Sequence, residues 1–261
     1  MASAKLAYDR LDPSQRSAIY DLLRTHPHFQ QYLAFGRPND FDEAEWVFLR
    51  ASVWPDWVRL RHNGDARGPV VTQYSRDEEH YINIPFIDPK DAAAFAGKTL
   101  IPPDKTNIIC ALKHRYYELR LPTAAPKDKA IAICWIVHLI GDIHQPMHNV
   151  AYFSTDQGFG EGDQGGNKFG VKIDGRKWKL HAYWDCVLGD EGDYMDDSKE
   201  HQQEVFRKAT TLADHLHSYR LTPADEKRLE KNKTIESWSE ESIELATKVA
   251  YQKPDGSGIL N

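Results

Sequence analysis

The stretch Lys127-Asp128-Lys129-Ala130-Ile131-Ala132-Ile133-Cys134-Trp135-Ile136-Val137-His138-Leu139-Ile140-Gly141-Asp142 decides the fold class. From Lys127 to Asp142 it is apolar nearly all round, which predicts a helix buried in the centre of a domain. The sequence on either side is also mostly helical in pattern. Asp12 can cap a helix with Pro13 at its first position and Gln15 three residues past the cap, a capping-box arrangement. Ala18, Ile19, Leu22 and Leu23 form its apolar stripe, and His26-Pro27 ends it. A second helical pattern starts after Asp40, with Pro55 kinking or interrupting it. Residues 61–87 are polar and irregular and close on an extended segment, His80 to Phe86. A short helix over 88–98 and a longer one from Asn107 to Leu119 lead into the central stretch.

Beyond Asp142, Gly158 to Asn167 is a glycine-rich loop, read as flexible. Alternation around Asp174-Gly175, from Val171 to Leu180, signals a β-hairpin. Three helices follow: Asp197 to Tyr219, a short one capped by Thr222 with Pro223 next, and Thr234 to about Gln252. The tail, 254–261, is expected to fray. With no internal repeat and no long Pro/Ser linker, the reading is one all-α domain, 1–261, carrying a small hairpin near 170–180.

Composition narrows the function classes. Lys and Arg number 33 against 39 Asp and Glu, a net charge of −6. A protein holding nucleic acid by phosphate neutralisation alone would be more basic. The 3 cysteines cannot build a thiolate zinc module, whereas the 12 histidines point to imidazole and carboxylate wherever a metal is bound. The longest apolar run, Ala130 to Val137, is too short to span a bilayer.

The chemistry concentrates in two spacings. His138 and Asp142 lie at i and i+4, on one face of the central helix, and His181 and Asp185 repeat that spacing after the hairpin. His148 follows Asp142 past Gln145-Pro146. Burying a His and an Asp on each apolar helix without a metal would demand a hydrogen-bond partner for every polar atom. Other motifs fail. Gly160-x-Gly162-x-x-Gly165 matches a dinucleotide fingerprint by letters, but neither the preceding strand nor the following helix is there. His26, His28, His114, His144, His215 and His217 are read as core or surface residues.

The segments His138-Leu-Ile-Gly-Asp142-Ile-His-Gln-Pro-Met-His148, Gly165-Gly166-Asn167 and Leu180-His181-Ala-Tyr-Trp184-Asp185 together resemble the core signature of the S1/P1 nuclease family. The likeness extends to Ala51–Arg59, to His80-Tyr81-Ile82-Asn83 and to the C-terminal helix, so from about Leu11 to Tyr251 it covers nearly the whole chain. It implies the mainly helical fold shared with zinc phospholipases C. It also implies zinc: Asp56, His80 and His138 on one ion, His148, His181 and Asp185 on a second, and Asp142 able to bridge to another. The family's third ion uses an N-terminal Trp and a nearby His. Aligning Leu11-Asp12-Pro13 with the family's first helix puts both before residue 1, as in a late-started version of a longer secreted precursor.

The resemblance further implies an endonuclease that hydrolyses single-stranded DNA or RNA to 5′-phosphorylated products, with 3′-nucleotidase activity. Its substrate is a single-stranded nucleic acid or nucleotide, and the enzyme is a monomer with no membrane span, secreted or periplasmic. Arg59 would stabilise charge on the phosphoryl oxygens, with a surface Arg paired to a nearby carboxylate as its plain alternative. Asp56 could also orient the attacking water. Tyr81 would stack an unpaired base, Asn83 would hydrogen-bond its edge, and Asn167 would help hold the cleft. Two other functions stay open: a zinc-dependent phospholipase C, and an inactive zinc-binding remnant lacking the third metal site.

Overall fold

The computed structural model describes residues 1–59, 73–100, 106–187, 198–253 and 255–260. The chain divides into two compact units, each drawn from three stretches.

The first unit comprises Met1–Asp77, Leu112–Gly141 and Asp190–Thr222. It opens with a helix the sequence pattern did not reveal, α1 (Ala2–Arg10), which buries only Ala4 and Tyr8. Helix α2 (Pro13–Leu23) starts where Asp12 and Gln15 predict, with both bonds of the capping box formed. Helix α3 (Glu43–Ala51) is capped by Asp42, which accepts from the Glu45 N–H at 2.8 Å; Asp40 has no part in the cap. After Ser52-Val53 the chain turns again into α4 (Trp54–Trp57), so Pro55 sits in the opening turn of a new helix, where its missing N–H is no loss. Trp46, Trp54 and Trp135 are fully buried, and Trp46 stacks on Phe206 with ring centroids 4.9 Å apart. Arg50 is buried too. Its guanidinium lies 3.8 Å over the Tyr32 ring and donates to Gln202 from α9 (Lys199–His217).

The second unit comprises Glu78–Ala111, Asp142–Gly189 and Pro223–Asn261. Strand β1 (Ile84–Ile87) pairs in parallel with β2 (Val150–Phe153), Ile84 opposite Val150. Pro85 is tolerated because, among the described residues, β1 has a neighbour on one side only. The hairpin forms as expected from β3 (Gly170–Ile173) and β4 (Arg176–Lys179). Asp174 and Gly175 both take positive φ, 49° and 81°, as a type I′ turn requires. Helices α5 (Ala92–Phe95), α8 (Leu180–Asp185), α10 (Pro223–Lys231) and α11 (Ile235–Leu245) complete this unit. Met147, Val150, Tyr152, Phe169, Leu180, Ala246, Ala250 and Tyr251 form its core.

Two further helices each cross a boundary between the sequence stretches of the two units. Helix α6 (Ile108–Arg120) is opened by Asn107, whose Oδ1 accepts from the Ile109 and Cys110 N–H groups. Helix α7 (Pro126–Ile143) is the central apolar stretch.

Mainly helical architecture with a small hairpin is what the sequence predicts. The tail differs from expectation. Residues 255–260 fold back instead of fraying: Gln252 bridges to Ile259, Leu260 donates to the Tyr251 carbonyl at 2.8 Å, and Ile259 and Leu260 pack on the second core. The irregular stretch expected after residue 60 lies, up to residue 72, outside the described residues.

Candidate metal centre

In the second unit, the β1–β2 ladder continues backward past Ile84. The Ile82 N–H donates to the His148 carbonyl at 2.9 Å, and the His148 ring Nδ1 meets the His80 carbonyl at 2.7 Å. One strand pairing therefore fixes His80 beside His148. The turn between Asp142 and His148 is clamped from α11: Ser242 donates to the Ile143 carbonyl, and Ser239 to Asn149, whose amide in turn donates to the Ile143 and Gln145 carbonyls. Helix α8 carries His181 and Asp185 one turn apart, and the glycine-rich loop supplies the Gly165 carbonyl to His181 Nδ1 at 2.7 Å.

His148, His181 and Asp185 converge, with ligand atoms all within 4.8 Å of one another. A carbonyl only accepts, so each ring in contact with one carries its proton on Nδ1 and turns the Nε2 lone pair outward. Asp185 is steadied from behind by the Gln145 side-chain amide at 2.8 Å. Asp142 Oδ2 adjoins this group, 3.0 Å from His80 Nδ1 and 3.9 Å from His148 Nδ1.

The electrostatics are those of a cation site. Burial alone would lower the His148 pKa, yet the Asp142 and Asp185 carboxylates push it up to about 9. His181 is held below its ordinary value by burial and by the charge on His148. Burial raises the Asp185 carboxyl, but the two imidazoles outweigh it and the net direction is down. Without metal, the charge these groups favour is a proton on His148 facing carboxylates. A divalent ion taking that place suits two imidazoles and a carboxylate, the borderline donors zinc accepts.

In the first unit, His138 is buried on α7, with Nδ1 2.8 Å from the Ser52 carbonyl and Nε2 3.8 Å from Asp56 Oδ1 on α4. It shows the same tautomer logic as the other two rings. Arg59 lies 3.5 Å from Asp56 and donates from Nε to Asp77 at 3.2 Å. Burial would lower its pKa, but the two carboxylates hold it above the ordinary arginine value. Arg59 is thus a cation paired with two nearby carboxylates.

The substrate-binding candidates lie in the second unit. The Tyr81 carbonyl accepts from the Ile108 N–H at 3.1 Å. Asn83 has φ +54°, an unusual conformation for a non-glycine residue, though one Asn tolerates. Asn167 donates to the Gln164 carbonyl at 3.1 Å, a bond internal to its own loop. Sequence reasoning missed Gln145, Asp77 and Ser239, because each acts through a partner distant in sequence or through a neighbour's backbone. His144, set aside at the sequence level, packs against the Trp238 ring.

A mainly helical chain that presents imidazole and carboxylate groups at i, i+4 spacing, with the rings pinned through Nδ1, has side-chain groups that could hold a metal ion. The comparison with known families is more specific. The chain belongs to the S1/P1 nuclease family, whose model matches residues 1–260. Among its relatives, Endonuclease 2 of Arabidopsis thaliana is 25% identical over 216 residues, 79% of this chain and 61% of the relative. Nuclease S1 of Aspergillus oryzae is 33% identical over 152 residues, 58% of this chain and 45% of the relative. Nuclease P1 of Penicillium citrinum is 39% identical over a shorter 62 residues, 24% of this chain and 19% of the relative. The chain thus spans less than two thirds of the length of each of these relatives. No helix among the described residues is long and apolar enough to cross a membrane.

Proposed function

We propose that this protein is a zinc-dependent endonuclease, a phosphodiesterase that hydrolyses single-stranded DNA or RNA to 5′-phosphorylated products, with 3′-nucleotidase activity on mononucleotides. The observation that carries this reading is the convergence of His148, His181 and Asp185 with both rings pinned through Nδ1 to backbone carbonyls. Family membership supplies the reaction class. On the strength of the sequence motif, Asp56, His80 and His138 would hold a first zinc ion, with Asp142 able to bridge to another, and His148, His181 and Asp185 would hold a second.

Bound zinc supplies Lewis-acid polarisation and a water acidified toward neutral pH. The protein's own groups do the rest. Asp56 orients the attacking water, and Arg59, its charge secured by Asp56 and Asp77, stabilises the phosphoryl oxygens in the transition state. Tyr81 stacks an unpaired base and Asn83 reads its edge as both donor and acceptor, while Asn167 braces the loop beside it. A base inside a duplex cannot reach such a platform, hence the preference for single strands. We further propose that the enzyme works as a monomer in a secreted or periplasmic setting.

The test is to assay the purified chain, zinc-loaded and chelator-stripped, on single-stranded DNA, duplex DNA and phosphatidylcholine vesicles. Zinc-restored cleavage of the single strand above the other two is expected. Cleavage of the lipid alone would replace the reading with a phospholipase C. Zinc retention without turnover of any substrate would leave a metal-binding remnant.

A further inference from the structure

The loop that holds His181 is built from an improbable backbone. Gln164, Gly165 and Gly166 are three consecutive residues with positive φ, at 58°, 60° and 79°. Gly tolerates this freely, but Gln does not. The conformation brings the chain into backbone contact with two ligand-bearing segments. A Cβ on Gly165 would lie 2.3 Å from the Met147 carbonyl oxygen, and one on Gly166 would lie 2.9 Å from the His181 nitrogen. At that approach the Gly165 carbonyl reaches His181 Nδ1, and the Gly166 carbonyl accepts the His181 backbone N–H at 3.3 Å.

Asp163 ties this loop to the core. Its side chain is fully buried, accepting from the Tyr152 N–H at 2.9 Å through one oxygen and from the Tyr251 hydroxyl at 2.7 Å through the other. Its backbone N–H donates to the Tyr152 carbonyl at 3.0 Å, and its carbonyl accepts from Lys168 at 2.9 Å, closing the loop on itself. Tyr152 belongs to β2, just past His148, and Tyr251 follows the π-helical turn Ala246–Ala250 that extends α11. A buried carboxylate with neutral partners is an expensive way to tie a loop. Burial pushes the Asp163 pKa up, against the Tyr251 hydroxyl and the Tyr152 and Gly166 N–H groups, which favour the ion. An anchor of this kind fits a loop whose backbone position matters to a ligand.

We infer that Asp163 and Tyr251 are positioning residues for the second zinc site: they hold the Gly165 carbonyl against His181 Nδ1, which fixes that ring's tautomer and aims Nε2 at the ion. The inference rests on His148, His181 and Asp185 being zinc ligands. Groups that orient a ligand through its other nitrogen typically contribute about 10- to 100-fold in metal affinity. Asp163 and Tyr251 stand one bond further out, so the lower end of that range applies.

The experiment is a zinc titration, by chelator competition, of the stripped full-length chain and of its Tyr251→Phe and Asp163→Asn variants. Melting temperatures are measured with and without zinc. Tyr251→Phe keeps the ring packing against Tyr152, Phe86 and Phe169 and removes only the hydroxyl, so it serves even where Asp163→Asn fails to fold. Expected is an approximately tenfold weaker affinity for one ion, unchanged affinity for any other, and a smaller zinc-induced rise in melting temperature. Nitrogen-15 spectra of the imidazoles should show His181 losing its single Nδ1–H tautomer. Variants that melt lower without metal yet bind zinc as the wild type does would make the pair merely structural and overturn the inference. A wild-type chain that takes up no zinc would overturn both the inference and the reading beneath it.

Discussion

Two pairs of neighbouring imidazoles lie in this protein at similar spacing, one in each unit. His26 and His28 have ring centroids 5.7 Å apart, and His148 and His181 4.8 Å apart. Their hydrogen bonds run in opposite directions. In the second pair both Nδ1 atoms face backbone carbonyls, so they carry the protons and leave Nε2 to coordinate. In the first pair both Nδ1 atoms accept: His26 from the His28 N–H at 3.1 Å, and His28 from the Trp54 indole at 3.0 Å. A neutral ring that accepts at Nδ1 carries its proton on Nε2 and has no lone pair left for a metal. The surroundings differ to match. His28 is enclosed by the rings of Trp54, Trp57 and Tyr74, while His148 meets Asp142 and Asp185. Burial pushes the His26 pKa down to about 3; carboxylates push His148 up to about 9. A count of histidines therefore says little, and the direction of the bond at Nδ1 says which pair has lone pairs free to take a metal.

The largest effect expected from this contrast is on metal content. His148→Ala should remove one zinc per chain and lower nuclease activity by more than about 100-fold, beyond what losing a partner of a ligand produces. His26→Gln should leave zinc content and activity as they are. Elemental analysis of both variants after dialysis checks the pair together. If His26→Gln lost zinc while His148→Ala kept it, the comparison would be reversed.

The same contrast explains what the sequence could disclose. The His138/Asp142 and His181/Asp185 spacings are local, and helical geometry alone places each pair on one face. Helix α2 was legible in Asp12, Pro13 and Gln15, and the hairpin in Asp174-Gly175, because caps and turns are local chemistry too. Helix α1 was not, since Ala4 and Tyr8 alone make its buried face. Strand β2 was missed because four apolar residues cannot be told from a helix segment until the partner strand is known. At the site, Asp163 and Tyr251 are bonded across 88 residues, and no spacing rule connects them. Which nitrogen of His148 and of His181 bears the proton was likewise beyond the sequence, because backbone carbonyls decide it.

Acid should separate the two pairs next. A histidine whose folded pKa is depressed must be protonated on unfolding as pH falls, so its burial destabilises the fold below the unfolded value of about 6.5. For His26, with a folded value of about 3, stability is lost progressively from pH 6.5 down to 3. By pH 5 the loss is on the order of 2 kcal/mol relative to neutral pH. The charge that adds to burial is that of His28, so no carboxylate offsets it. Urea unfolding of the metal-free chain at pH 7 and pH 5 measures the loss, and His26→Gln should shrink it. For His148 the sign is opposite: a raised folded value contributes stability that is present below about pH 6.5 and lost as pH rises through 9. Equal acid sensitivity in wild type and His26→Gln would place the titrating group elsewhere.

The smallest effect tests how far the order around the second pair reaches. Gln145 donates its amide to Asp185 and accepts the Met147 backbone N–H, so one side chain braces both Asp185 and the turn leading into His148. Among the described residues the core pair has no such side-chain amide, its Nδ1 atoms accepting from a backbone N–H and an indole. Gln145→Ala removes one donor from Asp185 Oδ1, and because Gln145 is only half-buried, water replaces much of the lost bond. Zinc affinity at that site should fall by roughly three- to tenfold, at or below the low end for such partners. Gln145→Glu should do worse than alanine, because a carboxylate facing Asp185 at hydrogen-bond distance repels it and cannot donate. Chelator competition on the three proteins gives the order: wild type tightest, then alanine, then glutamate. If glutamate bound zinc more tightly, it would be serving as a further ligand, and the Asp185 side of the centre would be open to a donor from position 145.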